Sequence, residues 1–175
     1  AARLNTIVCA ALERAGERAL TVQPSAAAVT RRGRIVDWAV RPVELLLGAG
    51  LIPVPYGDVC LDEEQGCSII STEEILRHLA GRLGPARVLL VGKVDGVLDA
   101  AGQVIRRLDR AALARLGDAP LASDGVADVT GGMRHKLERA FEMGAPTEII
   151  NGLVPGVLRR ALLGEQGLGT VVDAG

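Results

Sequence analysis

The chain carries apolar residues at helical spacing in several segments, and a glycine or proline borders most of them. Residues 2–15 show apolar side chains three and four positions apart, with Gly16 as a stop signal directly after them. Ser71 and Glu74, three positions apart, form a capping box at the start of another such segment. Helices are therefore predicted over residues 2–15, 42–47, 71–83, 133–143 and 155–163.

Short apolar runs alternate with these helices and predict β-strands over residues 19–23, 51–55, 87–92, 147–151 and 168–172. Two hairpins are predicted as well, turning at residues 31–33 and 63–66. The run RVLLVG is apolar on both faces, which is typical of a central parallel strand. The polar stretch 98–127 is expected to hold at most one short helix, at 111–116. The alternation predicts one α/β domain, residues 1–175, whose mainly parallel sheet is covered by helices on both faces.

Charge and cysteine content narrow the classes of function. Twenty Lys and Arg stand against 21 Asp and Glu, and the net charge of −1 argues against a nucleic-acid partner. Three cysteines without Cys-x-x-Cys spacing argue against a disulfide framework and a structural zinc site. The apolar runs are too short for a membrane span, and the first residues lack a signal-peptide layout. We expect a cytoplasmic protein and, because the chain starts within a helical pattern without Met, a part of a longer one.

Loops beyond the carboxyl ends of the predicted strands are the expected ligand site, because open parallel sheets bind ligands there. Gly57 and Asp58 follow the strand at 51–55. Lys93, Asp95 and Gly96 follow the strand at 87–92, and a third loop follows the strand at 147–151. Spacing alone leaves open that these charged residues only suit tight turns.

Common catalytic signatures are absent from the sequence. It contains no G-x-G-x-x-G after a strand, no P-loop, no H-E-x-x-H and no G-x-S-x-G. Two histidines, His78 and His135, are expected at exposed helix positions, and they give metal or triad chemistry little support. No metal-ligating residues are therefore predicted.

The segment DVTGGMRHKL at 128–137 combines glycines with a lysine in the first turns of a predicted helix. Gly131 and Gly132 free the backbone amides that open this helix, and helix N-termini favour anions. Lys136 lies at the edge of the apolar face, so its ammonium group can reach back toward a phosphate in the loop. Spacing leaves open the alternative that Thr130 caps the helix and Lys136 is a solvated surface residue.

Five segments follow one another in a distinctive order: GLIPVPYGDVCLD, GCSIISTEEILRHLA, VLLVGKVDGVLD, DVTGGMRHKLERA and EIINGLVPGVLRRALLGEQGLGT. In this order they resemble the carboxyl-terminal two-thirds of the isopentenyl phosphate kinases, a branch of the amino acid kinase superfamily. The most specific pieces are DVTGGM-x-x-K, INGLVPG and the closing GE-x-x-x-GT. The resemblance runs from Leu4 to Thr170 and implies that the family's amino-terminal third is missing from this sequence.

The resemblance implies a three-layer αβα sandwich, a homodimer, and phosphorylation of isopentenyl phosphate to isopentenyl diphosphate with ATP and Mg²⁺. On the nucleotide side it implies that Lys136, with Gly131 and Gly132 beside it, contacts the ATP phosphates. It also places Lys93, Asp95 and Gly96 in the nucleotide-side turn that the family usually writes D-V-D-G.

On the acceptor side the resemblance places Gly57 and Asp58 at the substrate. It places Thr72 where the family has a glycine whose amide touches the substrate phosphate. Glu73 stands at an aspartate that orients the catalytic lysines.

Several positions depart from the family pattern. Tyr56 replaces a histidine, Thr72 and Glu73 turn S-G-D into S-T-E, and Lys93 replaces an acidic residue. A lysine-bearing glycine loop and a G-S-F-G-H type segment, which belong to the family's first third, are absent from the sequence. Two alternatives therefore stay open: a kinase of the same fold for another phosphate or phosphonate acceptor, as in fosfomycin kinases, and a degenerate nucleotide-binding protein without catalysis.

Overall fold

The computed structural model describes residues 1–115, 122–123, 126–127 and 132–173. The chain divides into two compact units, Ala1–Leu83 and Gly84–Gly175. The single domain predicted over residues 1–175 stays a prediction. Within the described ranges, no helix has the length and apolarity that a membrane crossing requires.

The first unit combines three helices with two sheets. Its elements are α1 (Ala2–Arg14), β1 (Ala19–Val22), a 3₁₀ turn (Pro24–Ala26), β2 (Ala28–Arg31), β3 (Arg34–Trp38), α2 (Arg41–Gly48), β4 (Ile52–Pro55), β5 (Asp58–Asp62), β6 (Gly66–Ile70) and α3 (Thr72–Leu83). Strands β1 and β4 pair in parallel. The second sheet has the order β3-β2-β5-β6, in which two antiparallel hairpins join through the parallel pair β2–β5.

The core of this unit lies between the second sheet and α3. Its buried side chains include Trp38, Val43, Cys60, Ile70, Ile75 and Leu79. The helix start predicted from the capping box is present, since the Glu74 amide donates to Ser71 Oγ at 3.2 Å. The Glu74 carboxylate is only 2% exposed, and it accepts a hydrogen bond from the Ile35 amide at 2.9 Å. This contact links the first turn of α3 to β3.

Asp62 joins the two hairpins of the second sheet. The turn between β2 and β3 consists of Arg32 and Gly33, both with positive φ, as tight hairpins with the strand twist require. The Gly33 amide donates to Asp62 Oδ2 at 2.9 Å, and the Thr30 hydroxyl donates to the same oxygen at 3.0 Å. The backbone amide of Gly33, followed by those in the β5–β6 turn, lowers the pKa of Asp62 well below its usual value.

Replacing Asp62 with asparagine is expected to lower stability at neutral pH and to flatten its dependence on pH in the acid range. A carboxyl group with a lowered pKa in the folded state stabilises the fold above the pKa of the unfolded chain, about 3.9. That stabilisation is lost as the pH falls through the folded-state pKa. Urea midpoints measured from pH 7 to pH 2 should therefore differ most between the two proteins near neutrality and converge in acid. A difference in urea midpoint that stays constant from pH 7 to pH 2 would contradict a lowered pKa of Asp62 in the folded protein.

The second unit contains a mixed sheet. Its elements are β7 (Val88–Gly92), β8 (Arg107–Asp109), α4 (Arg110–Arg115), β9 (Ala122–Ser123), β10 (Val126–Ala127), α5 (Gly132–Phe141), β11 (Thr147–Asn151), α6 (Val157–Leu162) and β12 (Thr170–Asp173). The strand order is β7-β11-β12-β8. Strand β7 pairs in parallel with β11, and β12 pairs in parallel with β8, whereas β11 and β12 are antiparallel.

The predicted α/β class with parallel strand pairs is confirmed. Strand β8 was not predicted, because its three residues include a single buried side chain, Leu108, and have no apolar period. Its pairing with β12 creates the strand. Helix α6 begins at Val157, two residues after the predicted start at Pro155.

Candidate functional site

The acceptor-side residues of the first unit lie close together. Gly57 follows β4, and Thr72 and Glu73 open α3. A Cβ atom placed on Gly57 would be 3.2 Å from the Ile70 carbonyl oxygen and 3.8 Å from the Thr72 amide nitrogen. The loop after β4 therefore packs against the N-terminus of α3, where backbone amides favour an anion. Thr72 is exposed and Glu73 is half-buried.

Asp58 uses its carboxylate to hold a neighbouring turn. The Ser25 hydroxyl donates to Asp58 Oδ2 at 2.5 Å, and the Val59 amide donates to Oδ1 at 2.9 Å. The Ser25 hydroxyl is the main reason why the pKa of Asp58 is lowered from its usual value. These contacts fix the 3₁₀ turn Pro24–Ala26 beside the loop after β4. Ser25 was not singled out from the sequence, and a direct contact between Asp58 and a substrate stays a prediction.

Two of the nucleotide-side residues of the second unit, Lys93 and Asp95, border an open groove of about 580 Å³. The groove lies beyond the carboxyl ends of β7 and β11, where parallel sheets bind ligands. Its lining residues are Lys93, Val94, Asp95, Leu98, Gly102, Val104 and Asn151. The volume is within the range of small-molecule sites, about 300 to 1,000 Å³. The structure thus brings Lys93 and Asp95 together with Asn151, to which the sequence assigned no individual role.

Gly96 forms the base of the turn after β7. It is buried and has φ +146°, a conformation that side chains rarely adopt. The next amide, that of Val97, donates to Thr170 Oγ1 at 2.7 Å. The threonine of the closing GE-x-x-x-GT segment therefore anchors this turn to β12. A direct nucleotide contact by Gly96 stays a prediction, whereas its close packing against Thr170 is a structural requirement.

Helix α5 carries the predicted phosphate-binding lysine. The helix begins at Gly132, and Lys136 is half-buried near its start. The predicted apolar face is confirmed, since Met133, Leu137, Ala140 and Phe141 are all buried. Gly131 and Thr130 lie outside the described residues. Lys136 therefore lies beside the buried face, as the sequence predicts, and its phosphate contact stays a prediction.

His78 is not the exposed helix residue that the sequence suggested. Its ring packs against Trp38 with centroids 5.8 Å apart, and its Nε2 atom is buried without a hydrogen-bond partner among the described residues. Burial, together with the positive charge of Arg77, lowers the pKa of His78. Among the described residues, no group of three or more His, Cys, Asp or Glu side chains could hold a metal ion.

Comparisons with known proteins identify relatives of this chain. The family model described as the amino acid kinase family matches residues 1–149. A protein of Methanothermobacter thermautotrophicus called isopentenyl phosphate kinase is 39% identical over an alignment that covers 96% of this chain and 66% of that protein. An acetylglutamate kinase of Acidiphilium cryptum is 34% identical over 77% of this chain and 44% of its own length.

A solved structure titled "X-ray structures of isopentenyl phosphate kinase" superimposes with a TM-score of 0.80 and 33% identity. The match covers 98% of this chain and 66% of that one, so the chain spans slightly less than two thirds of such relatives. The likeness confirms the predicted amino acid kinase-like fold. Because the family model matches most of its residues and the solved structure shares its fold, the chain belongs to the amino acid kinase family.

Proposed function

We propose that this chain is the larger part of a kinase that transfers the terminal phosphoryl group of ATP to isopentenyl phosphate, forming isopentenyl diphosphate. The observation that carries the proposal is the 39% identity to an isopentenyl phosphate kinase over 96% of the chain. The proposal also accounts for the two kinds of site in the molecule: a groove in the second unit and an amide-lined loop in the first.

The chemistry of such a reaction matches the residues that the two sites offer. Phosphoryl transfer depends on positioning and charge neutralisation more than on covalent or general-base chemistry. A phosphate monoester has a second pKa of about 6 and is already largely ionised at neutral pH. Its oxygen therefore needs no histidine or serine to activate it. Lys136 would neutralise charge on the ATP phosphates, and the α3 N-terminus beside Gly57 would hold the acceptor phosphate.

Magnesium fits this proposal as a companion of ATP. Of the groove-lining residues that the structure describes, Asp95 is the one carboxylate. Magnesium that accompanies a nucleotide keeps several waters and is held largely by the substrate phosphates, where it neutralises phosphate charge. The groove therefore suits Mg²⁺ that arrives with the nucleotide and does not suit a cage made of protein ligands alone.

An acceptor panel tests the proposed function. The intact protein should release ADP with isopentenyl phosphate at a kcat/KM about a hundredfold above that for fosfomycin or N-acetylglutamate, because these present a phosphonate or a carboxylate of different shape. A coupled ADP assay measures the rate, and phosphorus NMR identifies the diphosphate product.

Two results would replace the proposal with its alternatives. Turnover with fosfomycin or N-acetylglutamate but not with isopentenyl phosphate would indicate a kinase of the same fold with another acceptor. ATP binding without turnover on any acceptor would indicate a nucleotide-binding protein without catalysis. A homodimer and a cytoplasmic location are also part of the proposal, and sedimentation of the intact protein tests the first of them.

A further inference from the structure

Asn151 ties together the two loops that border the groove of the second unit. Its side-chain Nδ2 donates to Asp95 Oδ1 at 2.8 Å, which links the end of β11 to the turn after β7. The two residues are 56 positions apart in sequence. The sequence marked the loop after β11 as a candidate, but neither its spacing nor the family resemblance gave Asn151 a function.

The orientation of the Asn151 amide is determined by its surroundings. Its Oδ1 atom accepts a hydrogen bond from the Leu153 amide at 2.9 Å. The Gly152 amide donates to the Gly92 carbonyl at 2.9 Å, which holds the same loop against the end of β7. Because Leu153 needs an acceptor, the oxygen must face it, and the NH₂ group then faces Asp95. The link is therefore formed before any ligand arrives.

Asp95 keeps one carboxylate oxygen for a ligand. Oδ1 is occupied by Asn151, and Oδ2 makes no hydrogen bond to any residue in the described ranges. An ionised carboxylate only accepts hydrogen bonds, and it repels phosphate oxygens. The free Asp95 oxygen is therefore suited to accept a hydrogen bond from the nucleoside part of a nucleotide. The donor would be either a ribose hydroxyl or an amino group of the base. Lys93, on the same groove, carries the opposite charge.

We propose that Asn151 is a positioning residue of the nucleotide site, which orients Asp95 to accept a hydrogen bond from the nucleoside. Asp95 lies on an exposed turn, where an unrestrained carboxylate would lose conformational freedom on binding. The hydrogen bond to Asn151 already restrains the Asp95 carboxylate, so less conformational entropy is lost when the nucleotide binds. This inference rests on the proposed function, which supplies ATP as the ligand.

Binding of four nucleotides to the intact protein tests the inference by calorimetry. ATP is compared with 2′-deoxyATP and 3′-deoxyATP, which each lack one ribose hydroxyl, and with inosine triphosphate, which lacks the amino group of the base. The unsubstituted protein should bind one of the three analogues at least about tenfold more weakly than ATP, as expected for a lost hydrogen bond to a charged group. The analogue affected identifies the donor.

In the Asn151→Ala protein this preference should shrink to about twofold, since the hydrogen bond that oriented Asp95 is gone. Asn151→Asp should give the same loss, because it keeps an acceptor for Leu153 but places a second carboxylate beside Asp95. Asn5→Ala is the matched control, since Asn5 is the other asparagine of the chain and donates to the Val54 carbonyl in the first unit. It should lower the melting temperature and leave the nucleotide preference unchanged.

Two outcomes would overturn the inference alone: equal binding of all four nucleotides by the unsubstituted protein, or an Asn151→Ala protein that loses affinity equally for all four. The second would assign Asn151 a purely structural role. Failure of the unsubstituted protein to bind ATP would overturn the proposed function together with the inference. The three outcomes are therefore distinguishable in one set of titrations.

Discussion

Replacing Lys136 with alanine is expected to lower kcat by roughly a hundred- to a thousandfold, the usual effect of removing a group that stabilises transition-state charge. The chain contains two lysines, Lys93 and Lys136, and only the second lies near the start of a helix whose N-terminus attracts phosphate. Steady-state kinetics with ATP and isopentenyl phosphate measure the effect. The KM for ATP should change much less than kcat if the lysine acts mainly in the transition state.

The fold should survive this substitution. The packing of α5 is provided by the neighbouring buried side chains Met133 and Leu137, while Lys136 itself is half-buried. Glu138→Ala serves as the control, because it removes an exposed charge from the same helix and should leave turnover within about twofold. If the Lys136→Ala protein turns over within a factor of about three of the unsubstituted protein, Lys136 has no part in the proposed mechanism.

Replacing Gly96 with alanine is expected to destabilise the protein by about 3 kcal/mol or more, since backbone strain and overpacking each cost about 1 to 3 kcal/mol. The added Cβ would lie 2.5 Å from Thr170 Oγ1 and 2.9 Å from Val104 Cγ1, at a residue whose φ is +146°. Relief of the contact would displace the hydroxyl that accepts the Val97 amide. Urea denaturation of both proteins measures the loss.

The Gly102→Ala substitution separates backbone strain from overpacking as causes of the lost stability. Gly102 also has a positive φ, +75°, but a Cβ atom there would meet nothing within 4 Å. Substitution of Gly102 should lower the free energy of unfolding only through backbone strain, by about 1 kcal/mol. Equal losses at the two positions would show that contact with Thr170 is not what makes Gly96 necessary.

Local patterns were sufficient to predict most elements of the fold. Helix α3 begins where Ser71 indicates, and α5 buries the face that its spacing predicts. Strand β8 could not be predicted, because it exists only through its pairing with β12. His78 was misplaced for a similar reason. Its ring packs against Trp38, which lies on strand β3, far from helix α3 in sequence.

The sequence was sufficient to predict which loops form the candidate site. It was not sufficient to predict the side-chain contacts that hold those loops. The rule about strand ends selected the loops that carry Gly57 and Asp95, and the structure places each of them at such an end. The partners of these loops are distant in sequence: Ser25 for Asp58, and Asn151 for Asp95. No local spacing encodes such pairs, because they arise from the order in which strands join a sheet.

The position of β12 inside its sheet has a consequence for how the protein is made. This strand, late in the sequence, lies between β11 and β8 and also supplies Thr170, the hydroxyl that anchors the Val97 amide 73 residues earlier. During synthesis, β7, β8 and β11 leave the ribosome first, and the turn that borders the groove lacks its anchor until Thr170 emerges. Such non-local pairing slows folding. The nascent second unit therefore exposes the unpaired edges of β11 and β8 until β12 is inserted between them.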